Sequence, residues 1–525
     1  MSFLRRPHMA RRVLAAGALS ALALGGVAHT APAHVRAAAP HASTTANTLT
    51  LGWAIETKTL DPANNPQNPD IWVISNIYDQ LIRVANDGKT LTPDLATSWN
   101  ITGAGTVYTF HLRPGVVFHN GQKLTAADVK FSLDRARNPS EAWSWTLGAI
   151  KNVAAPNSST VIVTLKHPWA PFLSDVSLFD TGVYPEAYFK KVGASYMSSH
   201  PIGTGPYGFD SWKRGQYLRL QKNAHYWLAG KFPMQYVEYD LIPDNNTRLL
   251  KTEAGELDID NVLPPNQIAA VKNNSAVKVV IDPSTETYYF VPNAKVAPFG
   301  DLRVRQAISH AIDRASFVKA IQYGYASVAN SFLPKGAIDY NPTIPVPTYD
   351  LALAKKLLSA SSVPHGFTMT FYVSSGDTIG NEEAQVFQSD VAPLGIKVTI
   401  KTMDGTTLFH DQQAGKISFT TNIWTNDIPD PDELVTYSAA CASGSWNFTS
   451  FYCNQQVKAL AQKAELSSDS ATRHNLYYQI QQLWAHDQWF YALYYAPFVN
   501  AVNSHVHGFH ENPLGYFVFQ GVSKS

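Results

Sequence analysis

The sequence predicts a mixed α/β fold of more than one domain, and three features carry that reading. The chain has 525 residues, whereas a single hydrophobic core stops growing at roughly 250–300 residues. Short runs alternate apolar and polar side chains, as half-buried strands do. Between them lie amphipathic stretches at helical spacing, without a strict βαβ rhythm.

The strand patterns are specific. Residues 107–112 put Tyr108, Phe110 and Leu112 on one face; Val161, Val163 and Leu165 repeat the pattern, as do Val398 and Ile400. Thr125-Ala126-Ala127-Asp128 reads as a capping box opening a helix that carries Val129, Leu133 and Ala136. Val304, Ile308 and Ala311 share a helical face, as do Leu351, Ala354 and Leu358, and later Leu476, Ile480, Leu483 and Trp484.

Composition narrows the class. At 45% hydrophobic and 15% charged residues the chain is globular. Its 12% aromatic content suits cores and ligand clefts alike. The net charge is +1, and Arg5, Arg6, Arg11 and Arg12 supply four of the basic residues. Without them 37 basic residues face 40 acidic ones, a net of −3. Such a chain has no electrostatic footprint for nucleic acid or for an anionic membrane.

Those arginines precede an uncharged apolar run from Val13 to Ala28 and two small-residue cleavage motifs, Ala31-Pro32-Ala33 and Ala37-Ala38-Ala39. This is the pattern of a signal peptide, assigned to residues 1–33, with an uncleaved anchor as the alternative. Arg11-Arg12-Val13-Leu14 resembles a weak twin-arginine signal. An Ala-, His- and Pro-rich spacer follows at 34–48. Cys441 and Cys453 are the only cysteines, and in an exported chain an even count suggests one disulfide. No cysteine adjoins the signal region for lipid attachment.

Several motifs admit a chemical reading. Gly203-Thr204-Gly205-Pro206-Tyr207-Gly208 matches the dinucleotide fingerprint letter for letter, but Pro206 interrupts it and no apolar helix follows. A glycine turn is the expectation there. His505, His507 and His510 fall in a chain with 17 histidines, and no metal is assigned to them. Asp427, Asp430, Asp432 and Glu433 lack the glycine and distal glutamate of a calcium loop. Trp424 nevertheless precedes this acidic run, and loops pairing an aromatic with a carboxylate are frequent binding elements. Nucleophile-elbow, zinc-protease and P-loop signatures are absent. Two distant acids meeting in the fold, as in glycosidases, are the enzymatic arrangement left open.

Ordered segments resemble family 5 of the extracellular solute-binding proteins, the peptide and nickel class serving ABC importers. They include Thr59-Leu60-Asp61-Pro62, Pro93-Asp94-Leu95-Ala96-Thr97-Ser98-Trp99, Tyr108-Thr109-Phe110-His111-Leu112-Arg113-Pro114-Gly115-Val116 and Phe118-His119-Asn120-Gly121. Pro201-Ile202-Gly203-Thr204-Gly205-Pro206-Tyr207 and Asp301-Leu302-Arg303-Val304-Arg305-Gln306-Ala307-Ile308 complete the series.

The resemblance implies a type II two-lobe fold of periplasmic-binding-protein kind, hinged by two crossing strands near Tyr288 and Leu493, with an extra domain in the first lobe. Its expected parts are 49–80, 201–287 and 494–525 for the lobe 1 core, 81–200 for the extra domain and 288–493 for lobe 2. It also implies a ligand-binding stretch, Trp424, Thr425, Asn426 and Asp427, in which Asp427 holds a ligand's α-amino group, and a disulfide between Cys441 and Cys453. Capture of a small peptide or related ligand by lobe closure, delivery to ABC permease subunits, a monomeric exported chain, no enzymatic activity and no cofactor are the further expectations. Oligosaccharides and metal chelates are the alternative ligands. One departure stands out. Dipeptide binders hold the ligand carboxylate with an arginine in a segment that here reads Val373-Ser374-Ser375-Gly376-Asp377-Thr378-Ile379-Gly380, without a base.

Overall fold

The computed structural model describes residues 47–65, 67–228, 230–438 and 450–525. The signal segment, most of the spacer and Cys441 lie outside the described residues. No helix among the described residues is long and apolar enough to cross a membrane.

Two mixed sheets organise the chain. The first has seven strands, in the order Val277–Asp282, Phe498–Asn503, Ile259–Asp260, Thr48–Trp53, Tyr236–Leu241, Tyr217–Lys222 and Tyr207–Lys213. The second has six, in the order Ser327–Val328, Tyr491–Tyr495, Thr287–Pro292, Phe419–Trp424, Thr368–Ser374 and Lys397–Met403. A separate four-stranded antiparallel sheet joins Ala96–Thr102, Val107–Leu112, Thr160–Leu165 and Ile150–Asn157. The alternation read at Tyr108, Phe110 and Leu112 buries these three side chains with Val161 and Val163 in the core of this small sheet.

The chain passes from the first sheet to the second through residues 283–286 and returns through 496–497. The two passages are tied together: the Ala496 N–H donates to the Glu286 carbonyl at 3.3 Å, and the Ser284 hydroxyl donates to the Ala496 carbonyl. Thr287 opens the central strand of the second sheet, opposite Trp424 on one side and Tyr495 on the other.

Each main sheet has its own core. Leu49, Leu51, Tyr207, Leu220, Val237 and Tyr239 pack around the first. Phe290, Phe371, Phe387 and Phe419 fill the second, with Phe290 edge-on to Phe371 at 5.1 Å and to Phe387 at 5.2 Å, the offset geometry that aromatic quadrupoles favour. The helix Leu302–Ala311 starts where Asp301 accepts from the Arg303 N–H. Buried Arg305 and Arg314 fasten it and its successor by donating to backbone carbonyls: Arg305 to Asp487, at the end of the helix Ser470–Asp487, and Arg314 to Ala492 in the second sheet, each at 2.8 Å.

The glycine-rich segment at 203–208 is a close-approach turn. A Cβ on Gly203 would lie 2.0 Å from the Ile77 carbonyl oxygen, and one on Gly205 would lie 2.6 Å from that of Asn76. Only glycine lets this loop pass the end of the helix Asn68–Ile77. His119 clamps the loop: its Nδ1 accepts from the Gly203 N–H at 3.2 Å and its Nε2 donates to the Gly205 carbonyl at 3.0 Å. Burial lowers its pKa to about 4, so the imidazole is neutral.

Candidate functional site

A cavity of about 1160 Å³ lies between the two main sheets, along the passages that connect them. Trp72 and Arg248 contribute from the first sheet's side; Tyr288, Ser375 and Thr378 contribute from the second's; Pro497 and Phe498 come from the return passage.

The stretch after the strand Phe419–Trp424 runs along this cavity and divides its side chains between two cavities. Thr425 and Asp427 line it. Asn426 and Ile428 turn to the opposite side, where they line a second cavity of about 400 Å³ with Asp282, Lys335 and Glu511. Trp424 is not among the residues lining the larger cavity. Its indole N–H donates to Glu433 Oε1 at 3.0 Å. The same carboxylate accepts from the backbone N–H groups of Asp427 and Ile428, each at 3.0 Å. Trp424 and Glu433 thus brace the turn from behind. Tyr516 closes the other end by donating to the Asp427 carbonyl at 2.8 Å, and the Asn426 N–H donates to Thr285 Oγ1 at 3.0 Å.

The acidic run resolves into separate tasks. Asp430 accepts from the Asp432 N–H at 2.9 Å and pairs with Arg473 at 2.7 Å, fixing the start of the helix Asp432–Ser438. Asp432 and Glu433 occupy the first turn of that helix. Asp427 alone of the four lines the cavity. Burial, and then the neighbouring Glu433 carboxylate, raise its pKa well above the usual carboxylate range. Asp180 adds to this from deeper inside; it is 1% exposed and neither of its oxygens accepts a hydrogen bond of normal geometry. Asp427 and Glu433 also share a side-chain hydrogen bond, so the two acids hold a proton between them at the cavity wall.

A second pair of acids comes from the passages and the C-terminal segment. Glu286 bonds the side chains of Tyr288 and Thr425, and burial pushes its pKa up to about 8. Glu511 accepts from the Asn500 amide at 3.0 Å, and burial, helped by the charges of Glu286 and Asp282, takes it to about 8. Both line the cavity. They lie more than 200 residues apart in the chain, and no local pattern announces such a pair.

Ser375, Gly376, Thr378 and Ile379, from the segment without a base, line the cavity wall. Asp377 between them caps the helix Thr378–Val391 by accepting from the Gly380 N–H at 2.8 Å. Among the described lining residues the one base is Arg248, which is buried and paired with Asp260 at 2.7 Å. The histidines read in the sequence have separate partners: His505 bonds Asp258 at 2.7 Å and His510 bonds Asp282 at 2.9 Å.

Two sheet-centred lobes, joined by a paired passage and enclosing a cavity, define a ligand-binding protein of the hinged two-lobe class. The chain belongs to the bacterial extracellular solute-binding proteins, family 5, whose model matches residues 90–446. It is 30% identical over 474 residues to the glutathione-binding protein GsiB of Pectobacterium atrosepticum, covering 88% of this chain and 91% of that one. The periplasmic binding protein DppA from Helicobacter pylori, solved with the peptide STSA, superposes with a TM-score of 0.82 at 28% identity, covering 91% of this chain and 98% of that one. A dipeptide-binding protein from Pseudoalteromonas sp. SM9913, solved with Met-Leu, gives 0.82 at 25% identity, covering 91% and 100%. The chain is thus a solute-binding component of an ABC importer, with the two-lobe fold that its sequence motifs imply.

Proposed function

We propose that this protein captures short peptides in the cavity between its lobes, holding the ligand's amino terminus at Asp427, and hands them to a membrane permease without chemical change. The observation that carries the reading is the Asp427 carboxyl on the cavity wall, backed by Glu433 and Asp180, where Arg248, already paired with Asp260, is the one base among the described lining residues. A desolvated ammonium needs such a partner, and a charge-assisted hydrogen bond contributes about 1.5–3 kcal/mol. The relatives described above are named for, or were solved with, peptidic ligands. Thr425 supports the site through Glu286, Trp424 braces the turn through Glu433, and Asn426 anchors it to Thr285.

In this reading the passages at 283–286 and 496–497 act as the hinge, and closure is favoured by contacts to both lobes. The lobe 1 core comprises 49–80, 201–287 and 494–525, the extra domain 81–200 and lobe 2 288–493. Residues 1–33 direct export, the mature chain acts as a monomer, and Cys441 pairs with Cys453. The test is native mass spectrometry of freshly purified protein, with peptide libraries incubated alongside. A retained or captured peptide of unchanged mass is the expected result. A sugar or chelate mass, or cleaved products, would replace this reading with one of a different binder or of a hydrolase. The absence of a base at 373–380 favours, as the second reading, a ligand lacking a carboxylate at that place.

A further inference from the structure

The cavity wall carries a charge pattern that goes beyond one amino-group anchor. Its described acidic lining residues are Asp244, Glu286, Glu382, Asp427 and Glu511, against Arg248 alone, whose charge Asp260 already neutralises. Asp244 is occupied as a helix cap, accepting from the Thr247 N–H at 2.8 Å, and Glu382 is exposed at the mouth. Glu286, Glu511 and Asp427 remain as the interior acids. Glu286 touches Thr425, and Thr425 and Asp427 are two positions apart and both line the cavity. Two residues of chain span at most about 7 Å. That is within the span from the α-amino group of a residue to the end of its own long basic side chain. Buried Asp180 adds to the repulsion that raises the Asp427 pKa.

We propose that the ligand is doubly cationic at its amino-terminal end: a peptide beginning with lysine, arginine or ornithine, its α-ammonium on Asp427 and its side-chain cation between Glu286 and Glu511. This rests on the peptide-capture reading and narrows it. Two carboxylates at the second position favour a cation strongly. An acidic first residue would meet acids on both sides and is disfavoured there. Burial raises both carboxyls to about 8, so each is mostly protonated near neutral pH and gives up its proton as the cation arrives.

The test is calorimetric titration of the full mature chain with Lys-Ala-Ala, norleucine-Ala-Ala, Ala-Ala-Ala and Glu-Ala-Ala. Norleucine keeps the length of lysine and removes its charge. Lys-Ala-Ala is expected to bind at least tenfold tighter than norleucine-Ala-Ala, and Glu-Ala-Ala to bind weakest. In Glu286→Gln and Glu511→Gln the ratio of lysine to norleucine affinity should fall towards one, with thermal unfolding confirming that each variant is folded. Titration of the unaltered protein in two buffers of different ionisation enthalpy should also show protons released on binding Lys-Ala-Ala and fewer with norleucine-Ala-Ala. Equal affinity for the lysine and norleucine peptides would overturn the second cation site and leave the peptide reading standing. Failure of all four peptides to bind would overturn both.

Discussion

The indole N–H of Trp424 and the carboxylate of Glu433 meet at 3.0 Å behind the turn that presents Asp427. Glu433 accepts from three N–H groups and donates to none of them, so it organises the turn as an acceptor only. Glu433→Gln keeps the shape but points an amide N–H at one of these donors. A buried donor left without a partner costs about 1–3 kcal/mol. The urea midpoint should therefore fall by a matching amount, and Trp424→Phe, which removes a single donor, should cost less. A glutamine variant as stable as the parent would show that the turn is held by other contacts.

Asp427 itself should show in affinity and not in stability. Asp427→Ala is expected to weaken peptide binding at least tenfold, or about 1.4 kcal/mol. It relieves a crowded pair of acids, so thermal stability should hold or rise. Calorimetry on the variant checks the first point and thermal melting the second. Unchanged affinity would remove Asp427 from the amino-group role.

Glu286 and Glu511 make the stability of the ligand-free protein pH-dependent. Their carboxyls, ordinarily near 4.5, are raised to about 8 in the folded chain. Between those values the folded state holds protons that the unfolded state has released, so their contribution declines as pH rises. His119 works in the opposite sense: it is lowered from 6.5 to about 4, and its contribution is lost as pH falls through that range. The window free of His119 is therefore pH 6.5 to 8, which these acids share with Asp240, Glu383 and Glu433, raised by burial to about 7. Across it the melting temperature of the ligand-free protein should drop, and Glu511→Gln should flatten the slope. An identical slope in the variant would assign the dependence elsewhere.

Gly203 is the position where a single methyl group should do most damage. Its Cβ would lie inside the contact radius of the Ile77 carbonyl, a backbone atom that cannot swing aside. Gly203→Ala should destabilise by about 2–3 kcal/mol, whereas the same change at Gly215, where nothing lies within 4 Å of the built Cβ, meets only the strain of a positive φ. Denaturant titration of the two variants gives the comparison.

Arg248 and Asp260 form a pair with side-chain exposures of 1% and 0%. Arg248→Met would leave a buried carboxylate unpaired, at a cost of about 3–5 kcal/mol. Double replacement by Met and Leu should recover part of that loss, and a double mutant no better than the single one would contradict the account.

Much of this architecture was legible in the chain because local rules agreed with tertiary packing. The Thr125 cap formed as read, with the Thr125 N–H donating to Asp128 at 3.0 Å. The alternating run at 107–112 became a strand with its apolar face buried. The motif at 203–208 was legible as a turn because Pro206 and the polar residues after it rule out a nucleotide-binding helix. The site was legible only in part. Asp427 lies inside a motif, so its neighbourhood could be named. Glu286 and Glu511 become neighbours only through strand pairing between residues 277–282 and 498–503, and no one-dimensional pattern encodes that meeting. Nor does spacing reveal that Asn426 and Ile428 turn to the far side of the stretch.

The strand Phe498–Asn503 lies inside the first sheet, hydrogen-bonded to Val277–Asp282 on one side and Ile259–Asp260 on the other. The sheet that contains the first described strand, Thr48–Trp53, is therefore unfinished until the chain beyond residue 497 arrives. Pairings of such long sequence separation form late and slowly. A chain of this topology thus stays short of its native state until residues 498–503 have joined the sheet. The order of strands in one sheet acts as a timer on folding, set by the arrival of that strand.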